Sequence, residues 1–294
     1  MEKSVRDTLI SEAASWAAEL WREALSRWVS REGQDRNYRT HVIHPALFAL
    51  LRERIITPGV LNILEVGCGD GTLLDDEAMK EVITQSGRYV GLDISQRLLT
   101  SAKSKHARPG IDYFQCDLTG SLTPEQFPVN KDFFDCALSV FTLQEVPDIS
   151  AALKNIAALL NHGGFGIFFA VHPAFGEWLA GEGHIGKNSG LEPPAGVKNG
   201  LWQWAGCYPI VDEPGEPFYL PYFHRSIDEY GEFFREAGFT VIETVGIPEK
   251  EQDIPRLVKA GVSPFAPFDK NLYWPCIGHE PSAAAFIVSG KEDR

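Results

Sequence analysis

Short apolar runs alternate with amphipathic segments along most of the chain, as expected for a sheet with helices between its strands. Seven runs predict strands, over residues 63–66, 88–93, 111–117, 132–140, 165–171, 239–247 and 283–289. Apolar positions at helical spacing predict helices over residues 77–84, 96–105, 151–160 and 226–237. Strands that alternate with helices usually pair in parallel. The sequence therefore predicts an α/β fold with a doubly wound, mostly parallel sheet.

Two further segments fall outside this alternation. Residues 4–30 place apolar side chains at steps of three and four, and predict a long amphipathic helix. Its tryptophans need a partner surface, either the body of the domain or a substrate that the helix covers as a lid. Residues 173–225 are rich in glycine, proline and aromatic residues, which predicts an ordered insertion that caps the site. The expected division is a helical lid (1–58), a Rossmann-like domain (59–172 and 226–294) and a cap (173–225).

Composition and charge narrow the class of partner. The 294 residues carry a formal net charge of -13, without a cluster of lysine and arginine. Nucleic acids and anionic membranes select basic surfaces, so neither is an expected partner. The five cysteines include no C-x-x-C pair, no signal peptide opens the chain and no apolar run reaches membrane-spanning length. These features predict a cytoplasmic protein with free cysteines, and they leave the oligomeric state open.

The most informative motif is the glycine turn that follows the first predicted strand. Glu65 lies in that strand, and glycines follow at Gly67, Gly69 and Gly71. Glycine adopts positive φ without a steric clash and lets a ligand approach the backbone. A dinucleotide-binding turn carries its third glycine three residues after the second, where this chain has Thr72. The spacing therefore disfavours an NAD-dependent enzyme.

The E-x-G-x-G-x-G pattern resembles the first motif of the class I S-adenosylmethionine (SAM) dependent methyltransferases. Two other stretches carry the same resemblance: F-D-C-A-L-S-V over residues 134–140, and R-S-I-D-E-Y followed by E-A-G-F over residues 225–239. The resemblance covers residues 37–173 and 222–239, and it points to the small-molecule type of the family. It implies a seven-stranded sheet with an antiparallel strand beside the sixth, and a methyl transfer that converts SAM to S-adenosylhomocysteine (SAH).

The carboxyl ends of the predicted strands carry the residues that the resemblance assigns to the cofactor. Asp93 ends the second strand, where its two carboxylate oxygens can accept both ribose hydroxyls; its alternative role is to cap the next helix. The resemblance places Tyr38 against the methionine part of SAM and Ile94 beside the adenine. It also places Asp117 and Leu118 on the adenine amino group and a ring nitrogen. The complete expected set is Tyr38, Glu65, Gly67, Cys68, Gly69, Asp93, Ile94, Asp117, Leu118 and Val140.

The expected reaction is an in-line methyl transfer to a small, apolar or aromatic acceptor, because aromatic residues are frequent in the cap. The side chains expected to line the acceptor pocket are Phe141, Trp202, Tyr208 and Tyr222. The candidate general bases are His172, which follows the fifth strand, and His224, at the end of the cap. Both histidines are equally well explained as structural tethers. Glu145 and His44 are weaker candidates, and no metal site is expected because the eight histidines are dispersed.

A second hypothesis stands beside this one: a protein with the SAM-binding fold that binds the cofactor without methylating. Such a protein would guide another reaction or serve as a structural or regulatory partner. Turnover of SAM to SAH with any acceptor separates the two hypotheses. A macromolecular acceptor is disfavoured, for RNA by the acidic net charge.

Overall fold

The computed structural model describes residues 3–30, 39, 43–54, 61–84, 87–122, 133–174, 176–177, 193, 202, 204–210, 218–247 and 283–290. The strands are β1 (Asn62–Val66), β2 (Arg88–Asp93), β3 (Ile111–Gln115), β4 (Phe134–Val140), β5 (Leu160–Val171), β6 (Trp204–Ile210), β7 (Phe218–His224), β8 (Thr240–Ile247) and β9 (Ala283–Ser289). The helices are α1 (Lys3–Ser30), α2 (His44–Arg54), α3 (Glu77–Thr84), α4 (Gln96–His106), α5 (Ile149–Leu159) and α6 (Ile227–Glu236). Short 3-10 helices cover Thr72–Asp75 and Leu143–Glu145.

Seven of these strands form one sheet in the order β3-β2-β1-β4-β5-β9-β8. β1 pairs in parallel with β2 and β4, whereas β9 pairs antiparallel with β5 and β8. The predicted α/β sheet, with its antiparallel strand beside the sixth, is thereby confirmed. The chain order reverses between β1 and β4, and open α/β sheets bind ligands at the carboxyl ends of the strands at such a point.

Helices cover both faces of the sheet because the central strands are apolar on both sides. Ile63 and Leu64 are consecutive in β1 and fully buried, and they belong to two different clusters of core residues. α2, α3 and α4 supply residues to the cluster around Ile63, and α5 and α6 to the cluster around Leu64. Parallel strands that are buried on both faces read as continuous apolar runs, as these do in the sequence.

The boundary between α5 and β5 differs from the prediction. α5 begins at Ile149, where the Asp148 side chain accepts a hydrogen bond from the Ala151 backbone, rather than at residue 151. β5 begins at Leu160 rather than at residue 165, so Gly163 and Gly164, which fall between the predicted helix and the predicted strand, lie inside the strand. Gly163, at φ 77°, permits the irregularity there, since an L side chain rarely adopts that backbone conformation.

The cap contains a β-hairpin that the sequence pattern did not predict. β6 and β7 pair antiparallel and form a sheet of their own, which we call the cap hairpin. The buried face of α1 packs on it, with the Trp16 and Phe223 rings at 5.8 Å and almost perpendicular. Trp202 adds a third ring, 4.8 Å from Phe223. The predicted amphipathic helix over residues 4–30 is confirmed, and its partner surface is the cap hairpin.

The described residues contain free cysteines and no helix suited to span a membrane. Cys68, Cys116, Cys136 and Cys207 are buried and free, as predicted, whereas Cys276 lies outside the described residues. Within those same residues, no helix combines the length and the apolar character needed to cross a bilayer.

Candidate functional site

A cavity of about 350 Å³ lies at the carboxyl ends of β1, β2 and β4, where the chain order of the sheet reverses. Its floor consists of the glycine turn after β1 and the ends of β2 and β4. α1 forms the opposite wall. This volume is within the range of small-molecule sites in proteins. The described members of the predicted cofactor set that line the cavity are Glu65, Gly67, Cys68, Gly69, Asp93, Ile94, Asp117, Leu118 and Val140.

The glycine turn leaves space for a ligand at one of its glycines and for a neighbouring loop at another. Gly67 (φ 70°) and Gly69 (φ 56°) both have left-handed backbone conformations. A Cβ on Gly67 would lie 2.1 Å from Thr142 Oγ1, so only glycine fits against the loop after β4. A Cβ on Gly69 would meet no atom within 4 Å, and this residue also lines the cavity. The turn therefore presents bare backbone to the cavity, which is the geometry needed by a closely bound cofactor.

Asp93 connects this turn to the end of β2. Its Oδ2 accepts a hydrogen bond from the Gly69 backbone at 2.9 Å, and its Oδ1 accepts one from the Ser95 backbone at 2.8 Å. Each carboxylate oxygen retains a further lone pair for a hydroxyl donor from the cavity. Desolvation of the carboxyl group raises its pKa to about 6, against the opposing effect of these hydrogen bonds. Ser95, not Asp93, caps α4.

Glu65 is a second buried acid at the floor of the cavity. It is 4% exposed, and the Tyr89 hydroxyl donates a hydrogen bond to Oε2. Burial raises the pKa of Glu65 to about 8, and the nearby Arg39 guanidinium opposes that rise. Glu65 therefore holds a proton at neutral pH and can become ionised when a cationic group enters beside it.

Arg39 is a site residue that the sequence reasoning missed. It lines the cavity, and its guanidinium carbon lies 5.6 Å from the centre of the Phe141 ring, in cation–π geometry. The prediction named its neighbour Tyr38, which lies outside the described residues. Arg39 directly follows Tyr38 in the sequence. It was the available signal, because a guanidinium can bind the carboxylate of a ligand.

Asp70 was also missed, although it lies between two of the motif glycines. It is 2% exposed, and it accepts hydrogen bonds from Thr72 Oγ1 at 2.7 Å and from Lys105 Nζ at 3.0 Å. These contacts connect the glycine turn to α4. A carboxylate inside a glycine turn needs a partner when it is buried, and that requirement was the signal in the sequence.

The far end of the cavity is formed by the residues that follow β3. Asp117 is exposed at the edge, and its Oδ1 accepts hydrogen bonds from the Thr119 backbone at 2.9 Å and the Thr119 hydroxyl at 2.7 Å. Leu118 is held by Asn155, whose Nδ2 donates to the Leu118 carbonyl at 2.7 Å. One carboxylate oxygen of Asp117, Oδ1, thus fixes the turn after β3.

Phe141 follows β4 at the lip of the cavity with a strained backbone. Among the described residues it is the one non-glycine residue with positive φ, at 56°. Its backbone N–H donates to the Phe169 carbonyl at 2.8 Å, and the Phe141 carbonyl accepts a hydrogen bond from Gln144 Nε2 at 2.8 Å. Such a conformation costs about 1–3 kcal/mol and is frequent at functional sites. It turns the chain so that Phe141 and Thr142 both line the cavity.

α1 supplies a mostly apolar wall opposite the glycine turn, with one charged side chain, Arg22. The side chains that it contributes are Ala14, Ala17, Ala18, Trp21, Arg22 and Leu25. The adjacent face of the helix packs on the cap hairpin, so one helix serves both surfaces. The two predicted roles of this segment, packing and a lid over the site, are therefore compatible.

Of the four candidate bases, Glu145 and His44 line the cavity. His44 is 3% exposed, and its Nδ1 lies 3.8 Å from Asp76 Oδ2. His172 and His224 are not among the described residues that line it. His172 Nδ1 accepts a hydrogen bond from the Ala174 backbone at 3.2 Å, which holds the turn after β5. The catalytic role predicted for these two histidines stays a prediction that the described geometry does not support.

His224 belongs to a polar group inside the cap. It is fully buried, with Nδ1 3.4 Å from the Tyr222 hydroxyl and Nε2 3.5 Å from Glu177 Oε1. Burial lowers the pKa of His224, in opposition to the nearby Glu177 carboxylate. Contacts to a phenol and a carboxylate inside the protein are consistent with the alternative explanation of His224 as a structural tether, and its role as a base stays a prediction.

The predicted acceptor residues are divided between the cavity and the cap. Phe141 lines the cavity, whereas Trp202 and Tyr222 are buried in the cap and are not among the described lining residues. Trp202 contacts a residue of the cavity wall: its Nε1 donates to the Pro147 carbonyl at 3.2 Å, and Pro147 lines the cavity. The side chain of Tyr208 lies outside the described part of the chain. The described residues also contain no group of three or more metal-ligating side chains.

Comparison with known proteins gives one family match and several relatives. Residues 64–165 match a family model described as a methyltransferase domain. The chain is similar to the ubiquinone biosynthesis O-methyltransferase of Coxiella burnetii, with 29% identity over 141 residues. That similarity covers 47% of this chain and 55% of the enzyme. The chain thus spans about half the length of the curated relatives that it matches first.

Two solved structures resemble the whole fold. A chain of the complex between the Haloferax volcanii Trm112 methyltransferase activator and a methyltransferase superposes with a TM-score of 0.59 at 16% identity, over 93% of this chain and 98% of that chain. A SAM-dependent methyltransferase from Listeria monocytogenes superposes with a TM-score of 0.53 at 17% identity, over 83% of this chain and 98% of that one. At these identities the likeness concerns the fold alone.

Proposed function

Since the chain carries a class I methyltransferase domain, we propose that it transfers a methyl group from SAM to a small, apolar or aromatic acceptor. One observation carries the proposal: Gly69 and Asp93 share a hydrogen bond and line one cavity with Glu65 and Asp117. The four residues come from the ends of three successive strands, which is an arrangement suited to an extended nucleoside ligand.

The residues of the cavity fit the parts of this cofactor in turn. Asp93 is available for the ribose hydroxyls, through the lone pairs that its backbone contacts leave. Arg39 is suited to the carboxylate of the methionine part, and Glu65 to its ammonium. Asp117 is suited to the amino group of adenine, at the far end. When bound, SAM supplies a methyl group that is already activated on a sulfonium, so alignment is the main task of the protein.

The acceptor is proposed to lie between α1 and the loop after β4. The apolar residues that these two elements contribute to the cavity include Trp21, Leu25, Phe141, Val146 and Pro147, and the charged Arg22 and Glu145 line it beside them. An aromatic ring or a hydrocarbon chain buries its surface there, and the Trp21 indole offers a flat face for stacking. The Coxiella burnetii relative is named for ubiquinone biosynthesis. We therefore propose a phenolic hydroxyl as the first acceptor class to test.

Glu145 is the proposed proton acceptor for such a hydroxyl. It lines this part of the cavity between Leu143 and Val146, whereas His44 lies on the side of Asp76 and α2. A positioned base contributes about 10²–10⁴-fold to a reaction in which the nucleophile loses a proton. The carboxylate of Glu145 would take the phenolic proton while the cavity excludes water from the reacting atoms.

Calorimetric titration of the protein with SAM, SAH and NAD tests the proposal. Micromolar binding of SAM and SAH without binding of NAD is the expected result. Incubation with SAM and a panel of phenols, catechols and hydroquinones should then produce SAH. Absence of SAM binding would contradict the cofactor assignment. Binding without turnover on a broad acceptor panel would instead favour the second hypothesis, a fold that binds SAM without methylating.

A further inference from the structure

Arg225 is a buried arginine immediately after the cap hairpin. It is 2% exposed and lies between β7 and the capping box that starts α6. Its Nη1 donates to the Leu143 carbonyl at 3.2 Å and to the Phe223 carbonyl at 3.3 Å. Its Nη2 donates to the Val146 carbonyl at 2.6 Å and to the Pro147 carbonyl at 3.2 Å. One guanidinium therefore connects four main-chain oxygens.

The cost of burying this charge indicates that the arrangement has a specific use. Removing a guanidinium from water is strongly unfavourable unless its donors are satisfied. Here the carbonyl oxygens accept hydrogen bonds from both Nη atoms, whereas Nε is buried without a hydrogen-bond partner among the described residues. The Phe223 and Phe233 rings lie 5.8 and 6.0 Å from the central guanidinium carbon. A neutral side chain would bridge the same segments without that desolvation cost. Arginine occupies the position instead, because its planar guanidinium can donate to several carbonyls at once.

Three of the four carbonyls belong to one wall of the cavity. We call residues 143–147 the wall loop; it consists of the 3-10 helix Leu143–Glu145 and the two residues after it. The wall loop lines the cavity through Leu143, Glu145, Val146 and Pro147. The guanidinium holds it on both sides of Glu145, through the Leu143 and Val146 carbonyls. Trp202 of the cap donates to the Pro147 carbonyl as well, at 3.2 Å.

The cofactor side of the cavity has separate supports. The Gly67 and Cys68 backbones donate to the Leu92 carbonyl at 2.8 and 3.0 Å, and Gly69 is held by Asp93. Lys105 holds Asp70 from α4. None of these contacts involves the cap. Thr142, the residue before the wall loop, also donates from Oγ1 to the Val66 carbonyl at 3.3 Å. The supports within the turn do not depend on residues 143–147, so loosening the wall loop should leave the glycine turn in place.

We propose that Arg225 is a positioning residue, which holds the wall loop and through it Glu145 against the acceptor. This inference rests on the proposed function, and it names the contact through which the cap acts on catalysis. The cap hairpin does not supply described side chains to the cavity; it fixes the wall that does. A wall displaced by about 1 Å can lower turnover about 10²-fold, because reacting groups must be aligned closely.

Three variants remove the contacts to the wall loop to different degrees. Arg225→Lys keeps the charge but replaces the planar fork by a single ammonium, which cannot span all four carbonyls. Arg225→Met keeps the length and removes every donor. Trp202→Phe removes one donor to the Pro147 carbonyl and keeps most of the ring packing. Arg88→Lys is the matched control, because Arg88 pairs with Asp112 at a partly exposed position away from the cavity.

The experiment measures amide hydrogen exchange, SAH affinity and turnover for each variant. Exchange in residues 141–148 should rise in the order Trp202→Phe, Arg225→Lys, Arg225→Met, while residues 62–75 and 88–95 stay protected. SAH affinity should stay within about twofold of the wild type, since the cofactor side has its own supports. With the acceptor found in the phenol panel, kcat should fall about tenfold or more for Arg225→Lys and be unchanged for Arg88→Lys.

Each result decides the proposal. Exchange that rises equally in residues 62–75 and 141–148, or a parallel loss of SAH affinity, would mean a general structural role for Arg225 and overturn the inference. Unchanged exchange and turnover in both Arg225→Lys and Trp202→Phe would overturn it as well. If Arg225→Met does not fold, the two milder variants give the answer. If the wild type does not bind SAH, the proposed function fails. Amide exchange in residues 141–148 then still tests separately whether Arg225 holds the wall loop.

Discussion

The backbone N–H of Gly69 donates a hydrogen bond of 2.9 Å to Asp93 Oδ2, which connects the turn after β1 with the end of β2. The two residues lie 24 positions apart in the chain. This contact places an exposed strip of backbone beside a carboxylate, and both line the cavity.

Asp93→Ala should strongly weaken the binding of SAM and SAH. The substitution removes the proposed acceptor of the ribose hydroxyls and also frees the Gly69 backbone, a loss of about 2–4 kcal/mol or roughly 30–1,000-fold in affinity. Calorimetry with SAH measures it. Asp112→Ala is the control, because Asp112 forms its salt bridge with Arg88 at the surface. An Asp93→Ala protein that binds SAH normally would refute the assignment of Asp93 to the ribose hydroxyls.

Gly69→Ala should fold and yet bind SAH about tenfold or more weakly. Its Cβ would enter open space within the cavity, at a backbone conformation that costs an L residue about 1–2 kcal/mol. Gly163→Ala is a close control: Gly163 also has positive φ, at 77°, and its Cβ would meet nothing within 4 Å. It lies in β5 and does not line the cavity. Equal SAH affinity in both variants would show that Gly69 does not contact the cofactor.

Stability of the ligand-free protein should fall as the pH rises from about 5 to about 8, and Glu65→Gln should reduce that fall. Burial raises the pKa of Glu65 from 4.5 to about 8, so the folded state binds the proton more tightly than the unfolded state. The stabilising effect of that proton is complete below about pH 4.5 and lost through about pH 8, at a few kcal/mol.

Urea unfolding at pH 5, 6.5 and 8 measures this effect on stability. The glutamine keeps an oxygen for the Tyr89 hydroxyl and cannot ionise, so its free energy of unfolding should depend less on pH. Asp93, with a pKa raised to about 6, leaves part of the dependence in place. A pH dependence identical in wild type and variant would mean that Glu65 is ionised in the folded protein throughout this range.

Ala18→Leu should weaken the acceptor step without unfolding the chain. Ala18 is exposed on α1 and lines the cavity, so a larger side chain would reduce the acceptor space while keeping helix propensity. KM for a phenolic acceptor should rise several-fold, and the melting temperature should stay near that of the wild type. Ser15→Leu is the control, at an exposed position of the same helix that does not line the cavity. An effect of equal size in both variants would exclude a direct role for the α1 wall.

Glu145→Gln and His224→Gln should affect different properties. Loss of the proposed base should lower kcat about 10²–10⁴-fold at unchanged SAH affinity. Loss of His224 should lower stability, because its partners Tyr222 and Glu177 would lose a buried contact. Steady-state kinetics and thermal unfolding of both variants separate the two effects. A larger loss of kcat in His224→Gln than in Glu145→Gln would restore the cap histidine as the candidate base.

The sequence by itself determined the local elements and the residues at their ends. The run before Gly67 predicted β1, the apolar spacing over residues 226–237 predicted α6, and Asp93 was predicted at a strand end. These features depend on interactions within a few residues: apolar periodicity, glycine conformation and capping hydrogen bonds. That is why they are legible without coordinates.

Only the tertiary structure decided which of these residues share a site. Arg225 contacts carbonyls 78 to 82 positions earlier in the chain, and Thr142 fills the space above Gly67. His224 was predicted as a general base, but it is buried away from the described lining of the cavity. Strand order, the packing of α1 on the cap hairpin and the path of the wall loop fix such contacts. They arise from long-range packing, which periodicity along the chain does not encode.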